Sequence, residues 1–359
     1  MTGPLTISID QLYRRQPGGI ATYVRGLVAG LAQVAPEVEL LGLAPSGMVP
    51  EDASAMNLSV VVAPLPLSVL TRLWPWWSLG VPGRSTIVHA TSMAGPFGGG
   101  ATGCVHSVAM HDLLWRDQSG APSRRGTRFH EGRLQLLKRR GDLRVFTSSP
   151  GLREQLINEG LDPARVHPVR LGVDDDQVTP ASEERVRALL TGHGVHGPFT
   201  LYVGTREPRK NLERLIEAHR RARGAGADLG ELVFVGPAGW GGVDSEDAVV
   251  LGTLDRDVLK GLYRDATVVA YVARAEGWGL PPVEALRAGS RVVASDTTPS
   301  AADNAEVVLV DPLDVASITD GLTRALALEN DAAARERRHH SVAELTWANC
   351  ALDHLAGWQ

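Results

Sequence analysis

The segment Ala275-Glu276-Gly277-Trp278-Gly279-Leu280-Pro281-Pro282-Val283-Glu284-Ala285-Leu286 sets two carboxylates, Glu276 and Glu284, on either side of a glycine-containing turn. It follows an apolar run at 267–271 that predicts a strand. Gly277 and Gly279 permit tight backbone conformations and close approach to a ligand. Pro281 and Pro282 suit a first helical turn, where their missing N–H groups would have no intrahelical partner. Gly289 is placed to end that helix. A strand, a glycine loop and a helix N-terminus together present free N–H groups to an anion. Glu276 then lies in the loop and Glu284 in the first helical turn, able to reach different parts of one ligand. A plainer alternative stays open, in which Glu284 only complements the helix dipole and Glu276 is solvated.

A second candidate anion site is Gly204-Thr205-Arg206-Glu207-Pro208-Arg209-Lys210-Asn211-Leu212, between a predicted strand at 199–203 and a helix starting near Asn211. Arg206, Arg209 and Lys210 suit a diphosphate, since arginine binds phosphate bidentately and lysine supplies a compact charge. A solvated basic loop is the alternative. Ligands of open α/β sheets bind beyond the carboxyl ends of the strands, which puts this loop and the Glu276 loop on one edge.

The elements that must carry these loops alternate between strand-like and helix-like patterns. Strands are expected at 5–9, 38–43, 58–62, 86–89, 107–110, 144–147 and 166–170. A second series follows at 199–203, 231–235, 248–251, 267–271, 291–294 and 307–310. Helical spacing appears at 20–31, 212–223, 255–263, 282–287 and 314–328. Such alternation predicts parallel sheets covered by helices on both faces. The polar break Leu171-Gly172-Val173-Asp174-Asp175-Asp176 separates the two series, so the fold class is α/β with two doubly wound domains.

Composition agrees with that reading and excludes others. The chain has 359 residues, 43% hydrophobic and 21% charged, which suits about two folded domains. The formal charge is −5, against a dedicated nucleic-acid binder. No apolar run reaches the ~18 residues of a membrane span, and the N-terminus does not read as a signal peptide. With only Cys104 and Cys350, and no zinc-like spacing, a cytoplasmic setting without a metal site is expected.

The two candidate loops carry a family resemblance. Gly-Thr-Arg-Glu-Pro-Arg-Lys-Asn-Leu after its strand resembles the phosphate-binding segment of retaining glycosyltransferases of the GT-B architecture, family 4. Glu276 through Glu284 is similar to that family's signature of two glutamates separated by seven residues. Leu232-Val233-Phe234-Val235-Gly236-Pro237, Leu251-Gly252-Thr253-Leu254-Asp255, Val292-Val293-Ala294-Ser295-Asp296 and Leu309-Val310-Asp311-Pro312-Leu313-Asp314 extend the resemblance over 199–325. The N-terminal half resembles the family more weakly. There Pro17-Gly18-Gly19-Ile20-Ala21-Thr22-Tyr23-Val24 resembles its glycine-rich loop, although two glycines also serve a simple tight turn. Met110-His111-Asp112-Leu113 resembles the segment holding its active-site histidine, which as a neutral imidazole can hydrogen-bond sugar hydroxyls.

The resemblance implies two Rossmann-like domains facing a cleft. Residues 1–175 would form the acceptor side, with a C-terminal helix at 341–359 crossing back onto it. Residues 176–340 would bind the donor. His111 and Glu276 would be catalytic. Gly18, Gly19, Arg206, Arg209, Lys210, Trp278, Gly279, Leu280 and Glu284 would bind the donor, with Glu284 on its ribose and the 278–280 N–H groups on sugar or diphosphate. The implied reaction is metal-independent, retaining transfer of a hexose, with mannose first, from a GDP-, UDP- or dTDP-sugar to a saccharide, lipid-linked or small-molecule acceptor. No cofactor is implied. A catalytically silent nucleotide-sugar-binding protein of the same fold is the alternative. Three departures from the family pattern stand out: Thr205 where an arginine is usual, Ala273-Arg274 for Pro-Ser, and Pro299-Ser300-Ala301 for Pro-Glu-Val.

Two surface features remain. Residues 124–144 hold eight Lys/Arg against Glu131 and Asp142, and Trp74-Pro75-Trp76-Trp77 puts three indoles in four residues. A solvated helix face is one reading of the first. Burial, an acceptor site or a membrane interface are readings of the second. Together they raise peripheral contact with an anionic membrane on the inner face of the cell membrane. Residues 1–180 carry a charge of +2 and 181–359 a charge of −7.

Overall fold

The computed structural model describes residues 3–13, 18–48, 56, 58–98, 103–116, 124–173, 178–240, 242 and 246–359. Pro17 of the glycine-rich segment and Asp174–Asp176 of the polar break lie outside them. Two compact units result. Among the described residues, the first comprises the chain up to Gly172 with Leu345–Gln359, and the second Val173–Glu344.

The first unit is built on seven strands: β1 (Leu5–Ser8), β2 (Leu40–Ala44), β3 (Ser59–Val62), β4 (Ile87–Ala90), β5 (Val105–Met110), β6 (Arg144–Thr147) and β7 (Val166–Pro168). All pair in parallel, in the order β3-β2-β1-β4-β5-β6-β7. Its helices are α1 (Gly19–Val34), α2 (Leu67–Leu73), α3 (Arg124–Arg139) and α4 (Pro150–Asn158), joined at the far end of the chain by α11 (Trp347–Trp358). In the second unit, α5 (Glu183–Gly192) precedes β8 (Phe199–Val203), α6 (Leu212–Gly224), β9 (Glu231–Val235), β10 (Val249–Gly252) and α7 (Arg256–Asp265). Then come β11 (Val268–Tyr271), α8 (Leu280–Arg287), β12 (Val292–Ser295), β13 (Val307–Val310), α9 (Val315–Ala327) and α10 (Ala332–His340). Its six strands are parallel, in the order β10-β9-β8-β11-β12-β13.

The burial of the strands follows from that topology. β8, β11 and β12 are buried at every position, as strands covered by helices on both faces must be. Leu212, Leu215 and Ala218 of α6 and Ile318, Leu322 and Ala325 of α9 pack with Tyr202, Phe234, Val268 and Ala270 in one core. In the first unit α11 packs on α1. A Cβ on Gly26 would come within 2.0 Å of the Trp347 ring, so the two helices meet at a distance only glycine allows.

The amphipathic stretch expected to begin a helix at residue 341 is divided. Residues 341–344 form turns, and α11 starts only after Thr346, whose Oγ1 accepts from the Asn349 N–H at 3.1 Å. A side-chain cap at that position satisfies a donor that an earlier helix start would leave to the backbone.

In both sheets the strand order reverses beside the first strand, between β1 and β4 and between β8 and β11. Connections leave in opposite directions at such a point, which opens a crevice between the two following loops. In the second unit those loops are 204–211 and 272–279, the two that carry the candidate cations and Glu276.

Candidate functional site

The loops after β8 and β11 are tied together before any side-chain ion pair forms. The Arg274 N–H donates to the Arg209 carbonyl at 2.8 Å. Asn211 adopts a left-handed conformation with φ 64°, and its Nδ2 donates to the carbonyls of Val272 at 3.0 Å and Pro312 at 2.6 Å. This geometry turns Arg209 and Lys210 toward Glu276. Lys210 Nζ lies 2.5 Å from Glu276 Oε1 and donates to the Tyr271 hydroxyl at 2.6 Å. The same Glu276 oxygen accepts from Arg209 at 2.6 Å, and the other end of that guanidinium pairs with Glu207 at 2.6 Å.

Glu276 and Lys210 are nearly enclosed, with side chains 9% and 8% exposed. The reading of Glu276 as a solvated loop carboxylate and of Lys210 as a solvated loop cation is thereby excluded. Burial alone would raise the Glu276 pKa, but the adjacent Lys210 and Arg209 outweigh it and hold the carboxyl below its usual range. Lys210 is lowered from the usual lysine range, chiefly by burial, with Glu276 opposing. The arrangement is a charged pair backed by a second cation, able to meet negative charge or to stabilise positive charge placed beside the carboxylate.

Arg206 does not join this cluster. Its guanidinium donates to the Gly236 carbonyl at 3.3 Å, and its backbone N–H to Pro237 at 3.2 Å. The cation accompanying Lys210 is therefore Arg209.

Gly279 has φ 95° and ψ 77°, and a Cβ there would lie 2.6 Å from Thr298 Cγ2. That backbone starts α8 at Leu280 and puts both prolines in the first turn. Glu284 accordingly falls in the second turn, a correction to the expected first-turn position, and the first turn has no acidic residue. A dipole-complementing role for Glu284 loses its basis, because that effect fades beyond the first turn. Its Oε2 instead accepts from the buried Tyr263 hydroxyl at 2.7 Å, and burial next to this carboxylate pushes the phenol well up. Ser300, at one of the departures, grips the turn: its N–H donates to Trp278 O at 3.0 Å and its Oγ to Gly279 O at 2.5 Å. Among the described residues the backbone N–H groups of Trp278, Gly279 and Leu280 have no protein acceptor, and the buried Trp278 Nε1 has none either.

Four further residues at this edge carry no sequence signal of their own. Tyr271 and Tyr263 are strand and helix aromatics that read as core. Glu207 reads as a loop charge. Trp240, 48% exposed, follows β9, and its Nε1 donates to Glu207 Oε2 at 3.1 Å.

In the first unit His111 directly follows β5 and is pinned by the loops on both sides. Its Nε2 lies 2.9 Å from the Thr91 carbonyl, after β4, and its own carbonyl accepts from Ser148 Oγ at 2.8 Å, after β6. A carbonyl can only accept, so Nε2 carries the proton and Nδ1 of the neutral ring is an acceptor. Burial lowers the His111 pKa, favouring that neutral form. Gly18 and Gly19 start α1 without positive φ, and a Cβ on either would meet nothing within 4 Å. Neither position therefore uses the conformational freedom or the close approach that only glycine allows.

Behind His111 runs a hydrogen-bond chain whose direction follows from its ends. His354 Nδ1 lies 2.8 Å from the Cys350 carbonyl, so it donates, and its Nε2 accepts from the Tyr23 hydroxyl at 2.8 Å. Tyr23 oxygen then accepts from His89 Nε2 at 2.7 Å, and His89 Nδ1 accepts from Ser107 Oγ at 2.9 Å. Ser107 in turn accepts from Trp358 Nε1 at 2.9 Å. The chain uses both histidines as neutral rings and fastens α11 to the sheet. Among the described residues, no group of three or more His, Cys, Asp or Glu side chains is placed to hold a metal ion.

Comparisons with known proteins follow the same division. The family profile for glycosyl transferases group 1 matches residues 191–340, within the second unit, and that for the glycosyl transferase 4-like domain matches residues 18–172, within the first. Together they take in most of the chain, and it belongs to the group 1 glycosyl transferases of the family 4 type. Solved structures share its GT-B fold. The sucrose-phosphate synthase of Thermosynechococcus elongatus superposes with a TM-score of 0.72 at 19% identity, over 99% of this chain and 98% of that one. HepE of Anabaena, solved with UDP and glucose, superposes with 0.74 at 14% identity, over the same shares. Among curated relatives, the D-inositol 3-phosphate glycosyltransferase of Mycolicibacterium smegmatis is 30% identical over 57% of this chain and 50% of its own length. The O-antigen chain mannosyltransferase B of Escherichia coli is 27% identical over 60% of each. These matches span only half to three-fifths of the relatives.

Proposed function

We propose that this protein is a retaining glycosyltransferase that moves a hexose, first of all mannose, from a nucleotide-diphosphate sugar to the hydroxyl of a saccharide, lipid-linked or small-molecule acceptor. The observation that carries the proposal is the convergence of Lys210, Arg209 and Glu276 beside the uncapped start of α8. Negative charge grows on the departing diphosphate, and Lys210 with Arg209 and the 278–280 N–H groups supply pre-positioned positive potential for it. Glu276 would stabilise the oxocarbenium-like sugar without forming a bond to it. The bond from C1 to the diphosphate oxygen breaks while the acceptor oxygen bonds to C1 on the same face, and the acceptor proton leaves on the departing phosphate. Glu284, steadied by Tyr263, would accept from the donor ribose. His111, through its accepting Nδ1, would take a hydrogen bond from a sugar hydroxyl. No metal or cofactor enters these steps.

The mannose reading draws on similarity to the Escherichia coli mannosyltransferase, which puts GDP-mannose first among donors. UDP- and dTDP-sugars belong in the same test. Incubation with a panel of nucleotide sugars, with and without saccharide and polyprenyl-phosphate-sugar acceptors, would read released nucleotide. Acceptor-dependent release from one donor is the expected result. Tight binding without turnover on every pair would overturn the proposal.

A further inference from the structure

The tryptophan cluster and the basic helix, which the proposed reaction leaves unused, meet in the first unit. Trp74 is fully buried, with Nε1 donating to the Leu79 carbonyl at 3.0 Å, whereas Trp76 and Trp77 are 61% and 58% exposed. The basic stretch also divides. Lys138 pairs with Glu159 and Arg140 with Asp142, and Arg144 donates to the Gly357 carbonyl. Arg124, Arg125, Arg128 and Arg139 share one exposed face of α3 and have no carboxylate partner among the described residues.

Between α2 and α3 lies a cavity of about 490 Å³, walled by Trp76 and Phe129, with Arg72 and Arg139 exposed at its sides. Arg133 also lines it. This arginine is only 6% exposed, yet among the described residues no carboxylate pairs with it. Its guanidinium lies between the rings of Phe97 and Phe129, 5.3 and 4.9 Å from their centroids, and donates to the Thr71 carbonyl. Burial lowers its pKa to about 10, so the group is still charged at neutral pH. A buried cation left without a counter-anion is unfavourable unless an anion joins it. Among the described residues no acidic side chain lines the cavity.

We infer that this cavity is a binding site for the phosphate of an anionic membrane lipid, with Arg133, Arg72 and Arg139 taking the phosphate and Trp76 and Trp77 entering the interface. A free phosphate would need the arginines but neither the apolar wall nor the exposed indoles. Indoles lie preferentially at the boundary between apolar and polar layers, and cations close to an anionic surface are drawn to it. Among the described residues no helix is long and apolar enough to cross a membrane, so this contact is peripheral.

Co-sedimentation of the full chain with phosphatidylcholine vesicles, with and without phosphatidylglycerol, tests the site at low salt. Binding to the phosphatidylglycerol vesicles alone is expected, and R72Q/R139Q should weaken it at least ten-fold. W76A should weaken it as well. A control pair, R124Q/R125Q, removes as much charge from the same helix but does not line the cavity, and should cost less than three-fold. Equal losses in the two double variants would mean diffuse attraction and overturn the built site. Failure of wild type to sediment would overturn the proposal, as would tight binding of soluble glycerol phosphate by a chain that ignores vesicles. Circular dichroism of each variant verifies that it is folded, and none of these residues belongs to the proposed transfer site.

Discussion

Burial alone opposes a charge on Lys210 and on Glu276, and each offsets that opposition for the other. Removing one partner of such a pair leaves an uncompensated buried charge, at a cost of about 3–5 kcal/mol. Glu276→Gln keeps the shape and loses the charge. It is expected to lower transfer by about a hundred-fold or more, the scale of losing an electrostatic stabiliser, while calorimetry finds nucleoside diphosphate binding kept. Wild-type turnover in that variant would remove Glu276 from the mechanism. Tyr263→Phe deletes the 2.7 Å hydrogen bond that orients Glu284. Its effect should fall on KM for the donor, by about five- to ten-fold, on the scale of one hydrogen bond to a charged group, with kcat little changed. A loss confined to kcat would take Glu284 away from donor binding. Both glutamates and Lys210 are legible in the sequence from residue type and spacing. Tyr263, Tyr271 and Glu207 are not, because an aromatic in a strand or helix has the same local pattern whether its hydroxyl meets a carboxylate or another side chain.

At the scale of elements, the site depends on two loops that leave neighbouring strands at a reversal of strand order. Asn211 joins them, and its cost and benefit can be separated. Asn211→Ala deletes the two donated hydrogen bonds and the one its Oδ1 accepts from Arg214, and leaves the buried carbonyls of Val272 and Pro312 unpaired, about 2–3 kcal/mol, and adds about 1 kcal/mol for an alanine in the left-handed region. Asn211→Gly should recover only the second part. Urea denaturation of the two variants checks this ordering, and equal stabilities would show that the backbone conformation at 211 relaxes. The strands are readable in advance because parallel strands covered on both faces are continuous apolar runs, and each expected run lies within two residues of a strand in the structure. The helices α2, α4, α5 and α10, of seven to ten residues, are not anticipated, whereas α7 and α8, no longer, are marked by a regular apolar face (Val258, Leu259, Leu262, Tyr263) and by glycines and prolines at the helix start, respectively. The start of α8 is misjudged by sequence for a different reason. Gly279 decides it through a positive φ, which residue type permits but does not require.

Over the whole molecule, the C-terminal helix is fastened to the first unit through a chain of neutral groups. Burial holds His354 at about 4 and pushes His89 well below the ordinary histidine range. In the unfolded chain a histidine titrates near 6.5. Between those values the unfolded state binds a proton that the folded state refuses, so acidification favours unfolding. The stabilisation is complete above about pH 6.5 and falls as pH drops toward 4. His354 alone loses about 2 kcal/mol of it by pH 5. His89, His106, His111, His167 and His219, all lowered by burial, act in the same direction. Urea midpoints measured from pH 7.5 to 5 should decline steadily, and His354→Gln should flatten part of the slope. Midpoints that do not change over this range would contradict the neutral chain.

Sequence by itself determines the class of fold and the type of chemistry at one sheet edge, because both are written in short-range patterns. Apolar runs alternate with helical spacing, and cations and carboxylates stand just after strand ends. Tertiary structure decides which charges face one another. Arg206, Arg209 and Lys210 are equivalent candidates along the chain, but only the last two reach Glu276, since backbone bonds to the β9 loop hold Arg206 aside. It likewise divides the tryptophans of 74–77 into one buried and two exposed, and leaves Arg133 charged in a cavity with no carboxylate among the described residues. Those outcomes depend on contacts between residues tens to hundreds of positions apart, which no local pattern encodes.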